Sequence, residues 1–247
     1  MLTPITIRYP VRPVRRSLVV GQVADLFGLD DSEREHAVAE NVALDVRPTD
    51  LVLFTGPSGS GKSSLMREVA RQLGATDANA LALPDVPLVE ALPGTVEERL
   101  ATLAGCGLSE ARLLLRTPGE LSDGQRYRFR TAFALATAKT PIVLDEFTAA
   151  LDRTLAKVVA FNLRKAVTRS GVGVLAATTH EDVVEDLNPD VWVRCEGDGA
   201  IRVVAGGVKK NISPSTTSFG CRTAPDPTGR TSLGGITAAT ASRTPAA

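Results

Sequence analysis

Gly56-Pro57-Ser58-Gly59-Ser60-Gly61-Lys62-Ser63 is the stretch that decides how this chain is read. The octapeptide fits G-x-x-x-x-G-K-[ST], a loop that wraps phosphate. Its flanks supply the context such a loop requires. Leu51-Val52-Leu53-Phe54, before it, reads as a buried strand. After it, Leu65, Val69 and Leu73 recur at helical spacing and Gly74 marks a stop. Gly56, Gly59 and Gly61 let backbone N–H groups close around a phosphate chain that side chains would crowd out. The start of the following helix adds partial positive charge. Lys62 is expected to neutralise the β- and γ-phosphates, and the Ser63 hydroxyl to sit on Mg²⁺. Pro57, Ser58, Ser60 and Ser64 complete the expected nucleotide-binding segment. A glycine-rich turn that binds nothing would need neither the strand nor the helix, so the residues point to a nucleoside triphosphate.

Later segments carry the rest of the chemistry. Pro141-Ile142-Val143-Leu144-Asp145-Glu146 is an apolar strand ending in two carboxylates. That strand is expected to neighbour the loop strand, which aims the Asp145 carboxylate at the Mg²⁺ shell. Glu146, one residue on, points elsewhere and can orient or deprotonate an attacking water. A solvated turn would not follow so apolar a strand. A second apolar strand, residues 172 to 177, leads to Thr178-Thr179-His180-Glu181, which places His180 at the γ-phosphate from the far side. His36, the other histidine, has no such context. Leu121-Ser122-Asp123-Gly124-Gln125-Arg126 opens an amphipathic helix over roughly 123 to 138, with Ser122 near its N-cap.

Taken in chain order, the loop, Leu121 to Arg126, Asp145-Glu146, Ala149-Ala150-Leu151-Asp152 and His180 resemble the Walker A, LSGGQ signature, Walker B, D-loop and switch-histidine motifs of ABC-type ATPases. The resemblance covers about residues 20 to 205. It implies an α/β P-loop NTPase of ABC-ATPase type that hydrolyses ATP with Mg²⁺. Lys62, Glu146 and His180 would be the catalytic residues, and Ser63 and Asp145 the metal ligands. It also implies that Ser122, Gly124 and Gln125 face the γ-phosphate held by a second subunit, so that a homodimer forms on ATP binding. Asp123 stands where the family carries glycine, which adds a negative charge beside a phosphate unless the side chain turns to solvent.

Departures from the transporter members are equally informative. Only 60 positions separate Lys62 from Ser122, which implies a shortened helical subdomain. Glutamine occurs at 22, 72 and 125 alone, so the interval beyond the loop helix has no Q-loop residue; Glu90 is a substitute candidate. No long heptad run fills the interval, which excludes the coiled-coil members. For the aromatic that stacks on adenine, Phe27 is the nearest upstream candidate, although Val23-Ala24-Asp25-Leu26-Phe27 reads as a core segment. Gly107 to Leu115, Pro118 to Gln125 and Phe161 to Lys165 look like a poorly characterised prokaryotic group of ABC ATPases often fused to a predicted acetyltransferase domain. Arg194-Cys195-Glu196-Gly197-Asp198-Gly199-Ala200 formally matches an acetyl-CoA loop. Short strands on either side make it a hairpin turn instead.

Composition bounds the remainder. With 43% hydrophobic residues the chain can bury an α/β core. No apolar run approaches the ~20 residues of a membrane span, and the arginine-bearing start lacks the apolar core of a secretion signal. Cys106, Cys195 and Cys221 have no metal spacing, and free thiols fit the cytoplasm. Residues 1–20 carry Arg8, Arg12, Arg15 and Arg16 and no acid, and 208–247 carry five cations against Asp226. Since the net charge is zero, the body at 21–207 is acidic, which argues against nucleic acid as a partner. Segment 208–247, dominated by Ser, Thr, Pro, Gly and Ala, is expected to be a disordered tail. The expected division is therefore a basic segment 1–20, an ATPase domain 21–207 and the tail. Three roles are compatible with it: an ATP-driven switch acting on an unknown protein partner, the ATP-binding subunit of a membrane transporter, or a nucleotide-dependent binding module with negligible turnover.

Overall fold

In the computed structural model, residues 2–10, 17–28, 35–149, 151–197 and 199–206 are described. The segment 208–247, Cys221 and Ala150 of the D-loop stretch lie outside them. The centre of the structure is a six-stranded sheet in the order β4-β5-β6-β3-β7-β8. Its strands are β3 (Leu51–Thr55), β4 (Thr76–Asp77), β5 (Ile142–Leu144), β6 (Val174–Thr178), β7 (Val191–Gly197) and β8 (Ala200–Ala205). All pairs are parallel except β7–β8, the expected closing hairpin.

β3 and β6 are buried along their whole length, because helices cover both faces of the sheet. The period of two along β3 divides its side chains between two cores. Leu51 and Leu53 pack with Ile142, Leu144 and Val174 under α7 (Arg153–Ser170) and α8 (Val184–Leu187). Val52 and Phe54 pack on the other face with Leu65, Met66 and Val69 of α2 (Lys62–Leu73). α2 ends as expected at Gly74, in the left-handed conformation at φ 64°. A third cluster holds the shortened helical subdomain together. There Leu88 of α3 (Leu88–Ala91), Leu103 of α4 (Val96–Gly105) and Leu113 of α5 (Ala111–Leu114) meet Phe129 of α6 (Asp123–Thr137).

Two expectations need correction. β5 does not neighbour β3, since β6 lies between them. The carboxylates still meet the loop because both strands end at the same edge of a parallel sheet, where ligand-binding turns gather. Phe27 is not a core residue. It closes α1 (Leu18–Phe27), in which no residue is buried, and is 76% exposed. The helix lies in the chain between β1 (Ile5–Pro10) and β2 (Glu35–Val42), an antiparallel pair ending at Pro10↔Glu35, so its apolar spacing does not report burial against the sheet. β1 itself packs inward, with Ile5 in the same cluster as Phe54 and Leu65.

Candidate functional site

α2 starts on Gly61 with no side-chain cap and no acid in its first turn. Both α4 and α6 start with a full capping box. An uncapped helix start opening on a cleft is an anion site, because its first N–H groups have no partner within the helix. Two glycines shape the loop before it. At Gly56 (φ 143°) a Cβ would strike the carbonyl of Cys195 on β7, and at Gly61 (φ 84°) it would strike the side chain of Val38 on β2. The loop is therefore pressed between two strands and tolerates no larger residue at either point. Ser60 Oγ is buried without a hydrogen-bond partner among the described residues, an orphaned group that a phosphate oxygen would satisfy.

Lys62 is buried in the loop and its ammonium donates to the Pro57 carbonyl at 2.6 Å. Burial lowers its pKa, while Cys195 and Asp145 oppose that shift. A buried cation with one neutral acceptor is poised for an anion. Burial pushes the Cys195 thiol up to about 11, so it stays neutral beside the lysine.

Across the cleft, Ser63 Oγ donates to Asp145 Oδ1 at 3.0 Å. A hydroxyl and a carboxylate this close suit Mg²⁺, which takes one or two protein oxygens and fills its remaining positions with water and phosphate. The next residue, Glu146, sits at φ 55°. Its N–H donates to Asp145 Oδ1 at 3.1 Å, and the Asp145 carbonyl accepts from the Tyr127 hydroxyl at 2.9 Å. Burial first, then the charges of Asp145, Asp77 and Glu146, raise the Tyr127 pKa well above the usual phenol range, so it remains a donor.

The cleft has a volume of about 520 Å³, and Lys62, Ser63, Ser64, Asp145, Glu146 and Thr178 are among its lining residues. Three of its wall residues were not legible as site residues. Tyr9 and His36, cross-strand partners in β1 and β2, line it together with Val38, and the Tyr9 hydroxyl donates to Ser64 Oγ at 2.9 Å. The alternation Ile5-Thr6-Ile7-Arg8-Tyr9 carried the strand signal that would have located Tyr9. His180 stands beside the cleft and not in its lining, with Nδ1 3.0 Å from Thr148 Oγ1 and its N–H donating to Thr178 Oγ1. The following Glu181 is fixed by Arg194 and by the Thr55 hydroxyl, which also receives the Trp192 indole N–H.

Ser122, Gly124 and Gln125 do not line this cleft. Ser122 is the N-cap of α6 as expected, accepting from the Gln125 N–H while Gln125 Oε1 accepts from the Ser122 N–H. The Gln125 carboxamide is thus used by the helix start itself. Asp123 points to solvent with Arg126 at 3.8 Å. Glu90, the candidate for the Q-loop position, is an exposed residue of α3 and does not line the cleft.

Residues 52–198 match the model of the ATPase family associated with various cellular activities (AAA). The lipoprotein-releasing system ATP-binding protein LolD of Novosphingobium aromaticivorans is 30% identical, over 58% of this chain and 82% of that protein. The chain belongs to the P-loop ATPases, and among them to the ABC-type ATPases. LolD of Granulibacter bethesdensis is 27% identical over 72% of this ABC-type ATPase and 94% of its own length. In fold, the ATPase is similar to the ATP-binding cassette MJ0796, solved as a post-hydrolysis dimer bound to ADP and Pi. That likeness has a TM-score of 0.54 at 21% identity, over 83% of this chain and 97% of the cassette. No helix among the described residues is long and apolar enough to cross a membrane.

Proposed function

We propose that this ABC-type ATPase hydrolyses ATP to ADP and phosphate as a cytoplasmic, ATP-driven homodimer that switches a protein partner. The observation that carries the reading is the meeting of the buried Lys62, the Ser63–Asp145 pair and the Glu146 turn on one cleft. Loop amides from Gly56 to Ser64 would hold the phosphates, with Lys62 releasing Pro57 to bind the β- and γ-oxygens. Ser63 and Asp145 would hold Mg²⁺, which supplies charge neutralisation at the phosphates. Glu146 would accept the proton of the attacking water, in line with the departing β-phosphate oxygen. The Nδ1 contact to Thr148 would orient His180 so that its other nitrogen can turn to the γ-phosphate. Tyr9 and His36 would form the wall for the base of the nucleotide. Because Ser122 is away from its own cleft, it would complete the site of a second copy, as the dimeric cassette of similar fold suggests.

The short interval between Lys62 and Ser122, with Glu90 off the cleft, favours the switch over the transporter subunit. The LolD relatives, named as ATP-binding proteins of a lipoprotein-releasing system, favour the second reading, a subunit that works with membrane proteins. Within the family, Gly107 to Leu115 and Pro118 to Gln125 support membership of the acetyltransferase-associated group. Lys62→Ala tests the nucleotide site. Titration calorimetry should show loss of tight MgATP binding with the fold intact, and near-native affinity would refute the assignment. Recovery of the native protein with integral membrane subunits would decide for the transporter.

A further inference from the structure

We propose that Tyr127 is a positioning residue for the hydrolytic carboxylate, holding the Asp145–Glu146 peptide in the turn that presents Glu146 to the cleft. The inference rests on the reading of Glu146 as the base. Glu146 adopts the left-handed conformation at φ 55°, one that a residue bearing a Cβ enters only when its neighbours impose it. The contacts that impose it can be named. Phe147 N–H donates to the Ala177 carbonyl on β6, and Ala149 N–H donates back to the Glu146 carbonyl, both at 2.9 Å. On the other side of Glu146 the peptide is held at its oxygen by the Tyr127 hydroxyl at 2.9 Å. Releasing that oxygen would free the Asp145–Glu146 peptide plane to rotate, and with it the direction of the Glu146 side chain.

Tyr127 does not touch the space where phosphate would lie, since it is not among the cleft-lining residues. It therefore acts through Glu146. Its own placement is firm. It lies on α6, two residues after Gln125, and Arg130 on the same helix donates to the Asn79 and Leu81 carbonyls at 2.6 and 3.0 Å. Those carbonyls belong to the turn that follows β4 at the sheet edge beside β5. One helix thus grips both the Asp145–Glu146 peptide and the adjoining strand end.

Tyr127→Phe keeps the ring and its packing and removes only the hydroxyl. Steady-state phosphate release, MgATP titration calorimetry and thermal melting should be measured on the full chain. The expected result is a kcat lowered about 3- to 10-fold, the factor one hydrogen bond is worth, with KM and MgATP affinity unchanged and Tm lowered by no more than the few degrees that one hydrogen bond supports. The same substitution in a Glu146→Gln background should have no further effect on residual turnover, because the carboxylate it aims is gone. An unchanged kcat would overturn the proposal. So would a rate loss that adds fully to that of Glu146→Gln, or one accompanied by lost binding and a Tm lowered beyond that, since either shows a role other than aiming Glu146. Absence of turnover in the unaltered protein, with MgATP bound, would refute the hydrolytic reading itself.

Discussion

Glu146 can be perturbed in a way that separates its backbone from its carboxylate. Among the described residues only three non-glycines have positive φ, and the other two, Asn41 and Asn188, are of the type that tolerates it. A glutamate there gives up about 1–2 kcal/mol to steric conflict between Cβ and backbone. Glu146→Gly and Glu146→Ala both delete the carboxylate, but only glycine removes the conflict. At a left-handed position alanine should be less stable than glycine by about 1 kcal/mol. For a domain of this size that is about 2–4 °C in Tm. Both variants should lose turnover by roughly 10²-fold or more, the scale of general-base help, while binding MgATP through Lys62 and Ser63. Urea unfolding gives the stability difference and phosphate release the rate. Equal stability of the two variants would show that the turn is unstrained, and native turnover in either would remove Glu146 from the chemistry. Glycine more stable and inactive is the expected combination: stability given up in the turn to aim a side chain.

The shared-site geometry predicts complementation. Lys62→Ala and Ser122→Arg chains, each inactive alone, should regain part of the activity when mixed, because one of the two sites in a mixed dimer carries neither defect. No recovery in dimers shown to have mixed would argue against a Ser122 acting across the interface. At the other end of the chain, Phe27→Ser should leave stability within about 0.5 kcal/mol of the parent, as expected of a surface position. A larger loss in chemical denaturation would mean that α1 covers apolar surface in solution.

What could be read from the sequence was what is decided locally. The glycine loop, the cap at Ser122 and the stop at Gly74 each depend on a few consecutive residues, and the structure has all three in place. Fully apolar strands announced themselves by composition at 51 to 54 and at 172 to 177, the second of which begins at Val174 in the structure. Strand order did not, because it depends on which strand meets which, and β6 came between β3 and β5. β4 is two residues long and has no periodicity to detect. Tyr9 escaped because its relevance arises from pairing with His36 across a separation that includes α1. Tyr127 escaped for a similar reason, since nothing in an amphipathic helix shows that one hydroxyl will reach a carbonyl 18 residues away. Phe27 differs in the opposite direction: helical apolar spacing is present, but no residue of α1 is buried.

The substitution at Asp123 bears on whether the protein turns over or merely binds. An added carboxylate beside a phosphate would slow hydrolysis if it were aimed inward. Its side chain instead stands fully in solvent at the start of α6, with the Arg126 guanidinium 3.8 Å away. A charge so placed is screened by water and shared with a cation, so the pair adds little to stability. The N-cap of that helix is supplied by Ser122 and Gln125, whose reciprocal bonds are intact. Asp123 at the first helical turn also complements the positive end of the helix. The residue that departs from the family pattern thus supports its own helix start, and its charge does not load the cleft of its own chain, whose lining it does not join.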